Sequence, residues 1–289
     1  MKSKPGKLLI CPTPLGNLGD VTKRSIEAFE NCDVVCCEDT RVTSKLLYVF
    51  GIHKPLERLD EASVSHKAKH LIERINNGEI VAYASDAGMP GVSDPGQRLI
   101  DAARNADVTV EVLPGPTAVT TAYVASGFPA QSFYFGAFFP RKPGERTRLL
   151  QQLKALNSVL VFYESPLRLV SALKAISDVL PTRRVAVCRE LTKLHEEVVR
   201  GSISEVYSEF LARQDNGAIK GEIVIVIDAP GDEEVLCDKQ DAFSAAGARA
   251  QELLRDESLS KKDIVSKLRN EFGLSRNDAY DLVHSRLKH

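Results

Sequence analysis

Short, wholly apolar runs alternate with longer mixed stretches over most of this chain. Residues 8–11 (Leu-Leu-Ile-Cys), 34–37 (Val-Val-Cys-Cys) and 80–84 (Ile-Val-Ala-Tyr-Ala) carry no charged side chain. A strand reads this way when both its faces are covered, so these runs predict buried strands of a mostly parallel sheet. Residues 109–113 predict a further strand. The mixed stretches 22–31, 64–77, 97–105 and 117–126 predict helices between and after them. Asp20 or Thr22 suits the N-cap of the first. Gly78 stands where a left-handed cap would close the second, and the last ends at Gly127.

The alternation pauses at 133–148, a stretch that is aromatic and then basic: Phe138-Phe139-Pro140-Arg141-Lys142-Pro143-Gly144-Glu145-Arg146. It reads as the crossing between two domains. The rhythm resumes with predicted strands at 159–163, 184–188, 197–200 and 222–227, and helices at 166–179 and 203–213. After Pro230, residues 231–234 read as a polar linker, followed by helices at 242–255, 261–272 and 275–287 with Ser260 and Ser275 as caps. The expected fold class is α/β: domains 1–130 and 131–230 with mostly parallel sheets, and a small helical C-terminal appendage over 231–289. The appendage suits either nucleic-acid binding or a packing and dimerisation arm.

Composition narrows the class. The chain has 289 residues, 43% hydrophobic and 27% charged, ordinary for a soluble globular protein with sizeable cores. The basic start, 1–7, leads into no signal-peptide core, and no apolar run is long enough to span a membrane. A cytoplasmic location is expected. Cys11, Cys32, Cys36, Cys37 and Cys188 lie in or beside apolar runs, and Cys237 in the linker-like stretch. No pair has zinc-knuckle or redox spacing, so no metal is expected. A net charge of −1 argues against a general nucleic-acid coat, yet leaves room for a local basic patch.

Four loops rich in Gly, Pro or charge follow the apolar runs: 12–22, 38–41, 85–96 and 113–118. Such loops at strand ends bring bare backbone to a ligand. The first sits where a dinucleotide fingerprint would, with Glu38 and Asp39 at the following strand end. Pro12 and Pro14 occupy places where that fingerprint needs Gly, which argues against it.

Pro-Thr-Pro-Leu-Gly-Asn-Leu-Gly-Asp at 12–20, Glu-Asp-Thr-Arg at 38–41, Ser-Asp-Ala-Gly-Met-Pro at 85–90, Tyr-Glu-Ser-Pro at 163–166 and Leu-Thr-Lys-Leu-His-Glu-Glu at 191–197 recur in order. Together they resemble the tetrapyrrole-methylase superfamily of S-adenosylmethionine enzymes. Within it they resemble the branch that methylates the ribose 2′-oxygen of a cytidine in 16S rRNA. Met89 stands where that branch is expected to have Thr.

The resemblance implies a two-domain tetrapyrrole-methylase-like fold, in a homodimer, with S-adenosylmethionine in the cleft between domains. The implied cofactor residues are Leu15, Asp86, Met89, Thr117, Ala118, Glu164 and Gly221. Glu38, Asp39, His195 and Glu196 are the candidate proton acceptors, with His195 equally suited to a structural role. Arg41, Arg141, Lys142, Arg146, Arg189 and Lys193 are expected to contact 16S rRNA in the 30S subunit. Phe138 and Phe139 suit either base stacking or interdomain core. Two rival readings remain: a small-molecule methylase acting on corrins or porphyrins, and a non-enzymatic RNA-binding module.

Overall fold

The computed structural model describes residues 6–217, 219–255 and 259–284. Two compact units divide between Ala229 and Pro230. Among the described residues, no helix is long and apolar enough to cross a membrane.

The larger unit holds two five-stranded sheets. The first contains β1 (Lys7–Ile10), β2 (Val34–Cys37), β3 (Leu56–Arg58), β4 (Ile80–Ala84) and β5 (Val110–Val112), in the order β3-β2-β4-β1-β5. Every pair is parallel, as the apolar runs predicted. Period-two alternation sends Leu8 and Ile10 to one face and Leu9 and Cys11 to the other. Helices α3 (Val64–Asn76) and α4 (Gly96–Asn105) cover the first face through Leu71, Ile75, Leu99 and Ala103. Helices α1 (Lys23–Asn31) and α2 (Thr40–Val49) cover the second through Phe29 and Leu47. Thr22 is the N-cap of α1; its hydroxyl accepts from the Ser25 N–H. Helix α2 was not predicted: its first two residues were read as the end of a charged loop, 38–41, and residues 42–49 were assigned to no element.

The second sheet contains β6 (Phe133–Phe138), β7 (Val159–Glu164), β8 (Arg184–Arg189), β9 (Glu197–Ser202) and β10 (Ile223–Ile227), in the order β6-β7-β10-β8-β9. Only β6 and β7 pair in parallel; β7–β10, β10–β8 and β8–β9 are antiparallel. The expectation of mostly parallel sheets therefore holds for the first sheet and needs correction for the second. The link from β8 to β9 is too short for the crossover that parallel neighbours need. Apolar runs reveal burial, not strand direction.

Helix α5 (Ala118–Ser126) follows the first sheet in the chain yet packs on the second, through Val119 and Ala122 against Val161, Ala186 and Val224. Helices α7 (Leu169–Val179) and α8 (Ile203–Asp215) cover the opposite face with Leu173, Ile176, Val206 and Phe210. The stretch read as an interdomain crossing is instead β6 followed by α6 (Pro143–Leu153).

The smaller unit has α9 (Asp232–Leu253), α10 (Lys261–Phe272) and α11 (Arg276–His284) around Ala250, Ile264, Leu268 and Val283. The 231–234 segment is thus the start of a helix, not a linker, and Cys237 lies in that helix. Acidic residues at 232–234 read as linker but suit the positive end of a helix. Ser260 makes a capping box with Asp263, and the Ser275 hydroxyl accepts from the Asp278 N–H. The predicted helix end at 285–287 lies outside the described residues, as do residues 1–5 of the basic start.

Candidate functional site

Strands β1 and β4 are neighbours, and the loops leaving their C-terminal ends are joined. The Thr13 N–H donates to Gly88 O at 3.0 Å, and the Gly88 N–H donates back to Thr13 O at 3.1 Å. The Thr13 hydroxyl donates to Ser85 O, and the Ser85 hydroxyl to Gly88 O. Gly88 has φ +82°, and a Cβ there would meet Leu15 Cδ2 at 2.9 Å. Conformation and space both demand bare backbone at 88. The 113–118 loop joins at Gly115, where a Cβ would meet Pro12 Cγ at 2.3 Å. The 38–41 loop joins reciprocally: the Asp86 N–H donates to Glu38 Oε1 at 3.2 Å, and the Asp39 N–H donates to Asp86 Oδ1 at 3.1 Å. The four loops form one surface at the carboxyl end of the sheet, where open α/β sheets bind ligands.

That surface is one wall of a cavity of about 290 Å³. Leu15, Glu38, Asp86 and Ala118 line it from the first sheet's side; Tyr163, Glu164, Cys188 and Val224 line it from the second. Its acidic members are Glu38, Asp86, Asp94, Glu164 and Glu222, and none of its described lining residues is Lys, Arg or His. Burial pushes the carboxyls of Glu38, Asp86 and Glu164 above the ordinary carboxylate range. Burial also lifts the Tyr163 phenol and the Cys188 thiol to about 12, so both stay neutral near pH 7.

Of the expected cofactor residues, Leu15, Asp86, Ala118 and Glu164 line the cavity. Met89 is half-buried one residue beyond Gly88, and Thr117 is the N-cap of α5. Gly221 adjoins the lining residue Glu222; it has φ +93°, and a Cβ there would meet Glu190 Oε1 at 2.5 Å. Its position calls for backbone freedom rather than for a ligand contact.

Of the four candidate proton acceptors, only Glu38 lines the cavity. Asp39 caps α2 and pairs with Arg41, whose hydrogen bonds hold its carboxyl well below the usual range. His195 and Glu196 are exposed and lie off the cavity lining; Glu196 Oε2 accepts from the Thr192 N–H at 2.5 Å.

The expected RNA-facing cations separate into two groups. Arg41, Arg141 and Lys142 are exposed. Arg146 needs correction: it is only 3% exposed, donates to Pro140 O and Ser171 Oγ, and lies over the Phe139 ring. Phe139 is buried in the core of the second sheet, so it is no stacking surface. Arg189 donates to Glu197 Oε2 and to Lys220 O. Lys193 pairs with Glu190 and Glu222, and its stem covers Gly16, where a Cβ would meet Lys193 Cγ at 2.2 Å. Lys193 thereby ties the β8–β9 connection to the first loop.

Asp94, Cys188 and Leu191 line the cavity but were not singled out for it. Asp94 also shapes its loop, accepting from the Gly91 and Gly96 N–H groups. Cys188 had only its place at a strand end to mark it.

A family model described as tetrapyrrole (corrin/porphyrin) methylases matches residues 7–207, which cover the first sheet, β6 to β9 of the second and the start of α8. The chain belongs to the tetrapyrrole methylase family. It is a methyltransferase. A Bacillus subtilis protein named ribosomal RNA small subunit methyltransferase I is 35% identical over 98% of this chain and 96% of its own length. A Thermotoga maritima protein of the same name is 42% identical over 74% of this chain and 96% of its own. Among solved structures, the methyltransferase CobJ superposes with a TM-score of 0.58 at 20% identity, covering 78% of this chain and 94% of its own. Uroporphyrin-III-C-methyltransferase from Thermus thermophilus gives 0.54 at 22% identity, covering 76% and 94%. At such identities the structural likeness speaks for the fold alone.

Proposed function

We propose that this methyltransferase uses S-adenosylmethionine to methylate the ribose 2′-oxygen of a cytidine in 16S rRNA of the small ribosomal subunit. The observation that carries the donor assignment is the cavity's charge: five carboxyl groups and no cation among its described lining residues. A sulfonium with an ammonium group suits such a lining, because a buried cation without acceptors is costly. The substrate assignment draws on the two relatives named as rRNA methyltransferases, which resemble this chain far more closely in sequence than CobJ and the uroporphyrin-III-C-methyltransferase do.

The residues present fit the donor. Gly88 lets Leu15 pack close to the loop backbone, and Leu15 itself lines the cavity. Ala118, Leu191 and Val224 offer an apolar slot for a flat base. Asp86, with Glu222 across the cavity, offers acceptors for an ammonium group. When bound, S-adenosylmethionine supplies an electrophilic methyl group on sulfur. The chain's own tasks are to align the acceptor oxygen with that carbon and to remove its proton. Glu38 is the proton acceptor we assign: it lines the cavity, and a raised pKa strengthens a carboxylate as a base. The expected assembly, a homodimer acting on 30S particles in the cytoplasm, belongs to the same reading.

The test is transfer of labelled methyl groups from S-adenosylmethionine to purified 30S subunits lacking the modification, followed by mapping of the labelled ribose. Label on one 16S cytidine 2′-oxygen is expected. Label entering a corrinoid precursor and not the subunit would favour the small-molecule rival. RNA binding without any donor binding in calorimetry would favour the non-enzymatic one.

A further inference from the structure

A second cavity of about 640 Å³ lies beside the first, bordered by Phe138, Arg141, Ser165, Leu167 and Arg168. Phe138 borders both cavities, so the two share a wall. We propose that this second cavity is a subsite for unpaired RNA, in which Arg168 binds a backbone phosphate and Phe138 stacks on a neighbouring base. This deepens the RNA-methylation reading and rests on it.

Three observations point there. First, Arg168 is anchored but incompletely used. Its Nη2 donates to Glu164 Oε1 at 2.5 Å, while its Nη1 is buried with no hydrogen-bond partner among the described residues. Guanidinium nitrogens are donors only, so an unpaired one next to a cavity calls for an acceptor from outside the chain. Second, the local charge is positive. Among the described residues Glu164 is the carboxylate that pairs with both Arg146 and Arg168, and exposed Arg141 joins Arg168 on the cavity lining. An anion with several oxygens complements that excess. Third, the aromatic surface is held in place. The β6–β7 register shifts between Phe135 and Phe138, where Ala137 takes φ +55°. A bulge of this kind re-aims the side chain that follows it. Phe138 is 58% exposed, and its ring meets the Tyr163 edge with centroids 5.5 Å apart. Leu167, 88% exposed, extends the apolar floor. A fixed aromatic face beside a cation is how proteins hold single-stranded RNA.

The test measures binding of a short single-stranded RNA and methylation of 30S subunits as a function of salt. Arg168→Ala should weaken RNA binding about tenfold and reduce the slope of log affinity against log salt by about 0.7 to 1. Because Arg168 faces a buried carboxylate, Arg168→Lys is run beside it; it keeps the charge opposite Glu164 but loses the second donor, and should weaken binding by a smaller factor. Arg141→Ala, at an exposed position, should lower RNA affinity and leave donor affinity within about twofold. Phe138→Leu should weaken RNA binding with no change in salt slope. Wild-type affinity and slope in both Arg168 variants would overturn the subsite while leaving the methylation reading standing. A wild-type chain that neither binds RNA nor labels 30S subunits would remove both.

Discussion

The two cavities share Phe138 and both draw on the end of β7, yet their charges are opposite. Tyr163 and Glu164 line the first; Ser165, Leu167 and Arg168 border the second. The first holds five carboxyl groups and no cation, the second two arginines and no carboxyl group, among their described lining residues. On the proposed reading a cationic methyl donor and an anionic polymer approach one another here, and each needs a field of the opposite sign. The Glu164–Arg168 pair stands on the border and belongs to both. Opposite fields this close persist only because the charges are fixed: Glu164 is fully buried and held by Arg168, Arg146 and the Ser165 N–H.

Three substitutions press on the acidic side. Glu38→Gln should lower kcat about 10²-fold, with donor affinity within about threefold. Equal losses in both would make Glu38 a binding group and not a base. Gly88→Val asks for a β-branched side chain at φ +82° against Leu15. It should destabilise the fold by about 1–3 kcal/mol in thermal unfolding and abolish detectable donor binding in calorimetry. Asp86→Ala removes the acceptor for the Asp39 N–H and one cavity carboxylate, and should weaken donor binding about tenfold. Unchanged affinity in that variant would place the donor elsewhere.

Much of the first sheet was legible because a strand covered on both faces leaves a plain trace, as at 34–37, where every residue is buried. In the second sheet β7, β8 and β10 were visible for the same reason, but their directions were not, and β6, which is largely exposed, was read as a crossing. Antiparallel order there follows from the short β8–β9 connection and the placement of β10 between β7 and β8, which no local pattern records. The loops were legible by their glycines and prolines. What those glycines accommodate was not: Gly221 makes room for Glu190, and Gly16 for the stem of Lys193. The cations were hardest. Arg141 and Arg146 lie in one basic stretch, yet helix α6 turns Arg146 inward to Glu164 while Arg141 stays exposed. Helical phase decided the fate of Arg146, while Arg141 lies ahead of the helix, and a stretch read as loop has no phase.

The acidic cavity should also show itself in pH. Burial raises the carboxyls of Glu38 and Asp86, and the charge of other acids raises them further: Asp94, Asp86 and Asp60 for Glu38, Asp39 for Asp86. A carboxyl whose folded pKa exceeds its unfolded one binds its proton more tightly in the fold. Its contribution to stability therefore falls as pH rises from the ordinary carboxylate value through the raised one. Carboxyls with lowered values, such as Glu197 beside Arg213 and Arg189, act in the opposite sense, so total stability does not isolate the cavity. The difference between wild type and a Glu38→Gln, Asp86→Asn double variant does. Without donor, the variant should gain on wild type in melting temperature as pH climbs through that window. Donor affinity of the wild type should move the other way, rising severalfold over the same window as the carboxyls ionise to meet a cation, while the double variant's stays flat. Parallel curves for the two proteins would mean that these carboxyls do not face the donor's charge, and the contrast between the cavities would then lack its chemical purpose.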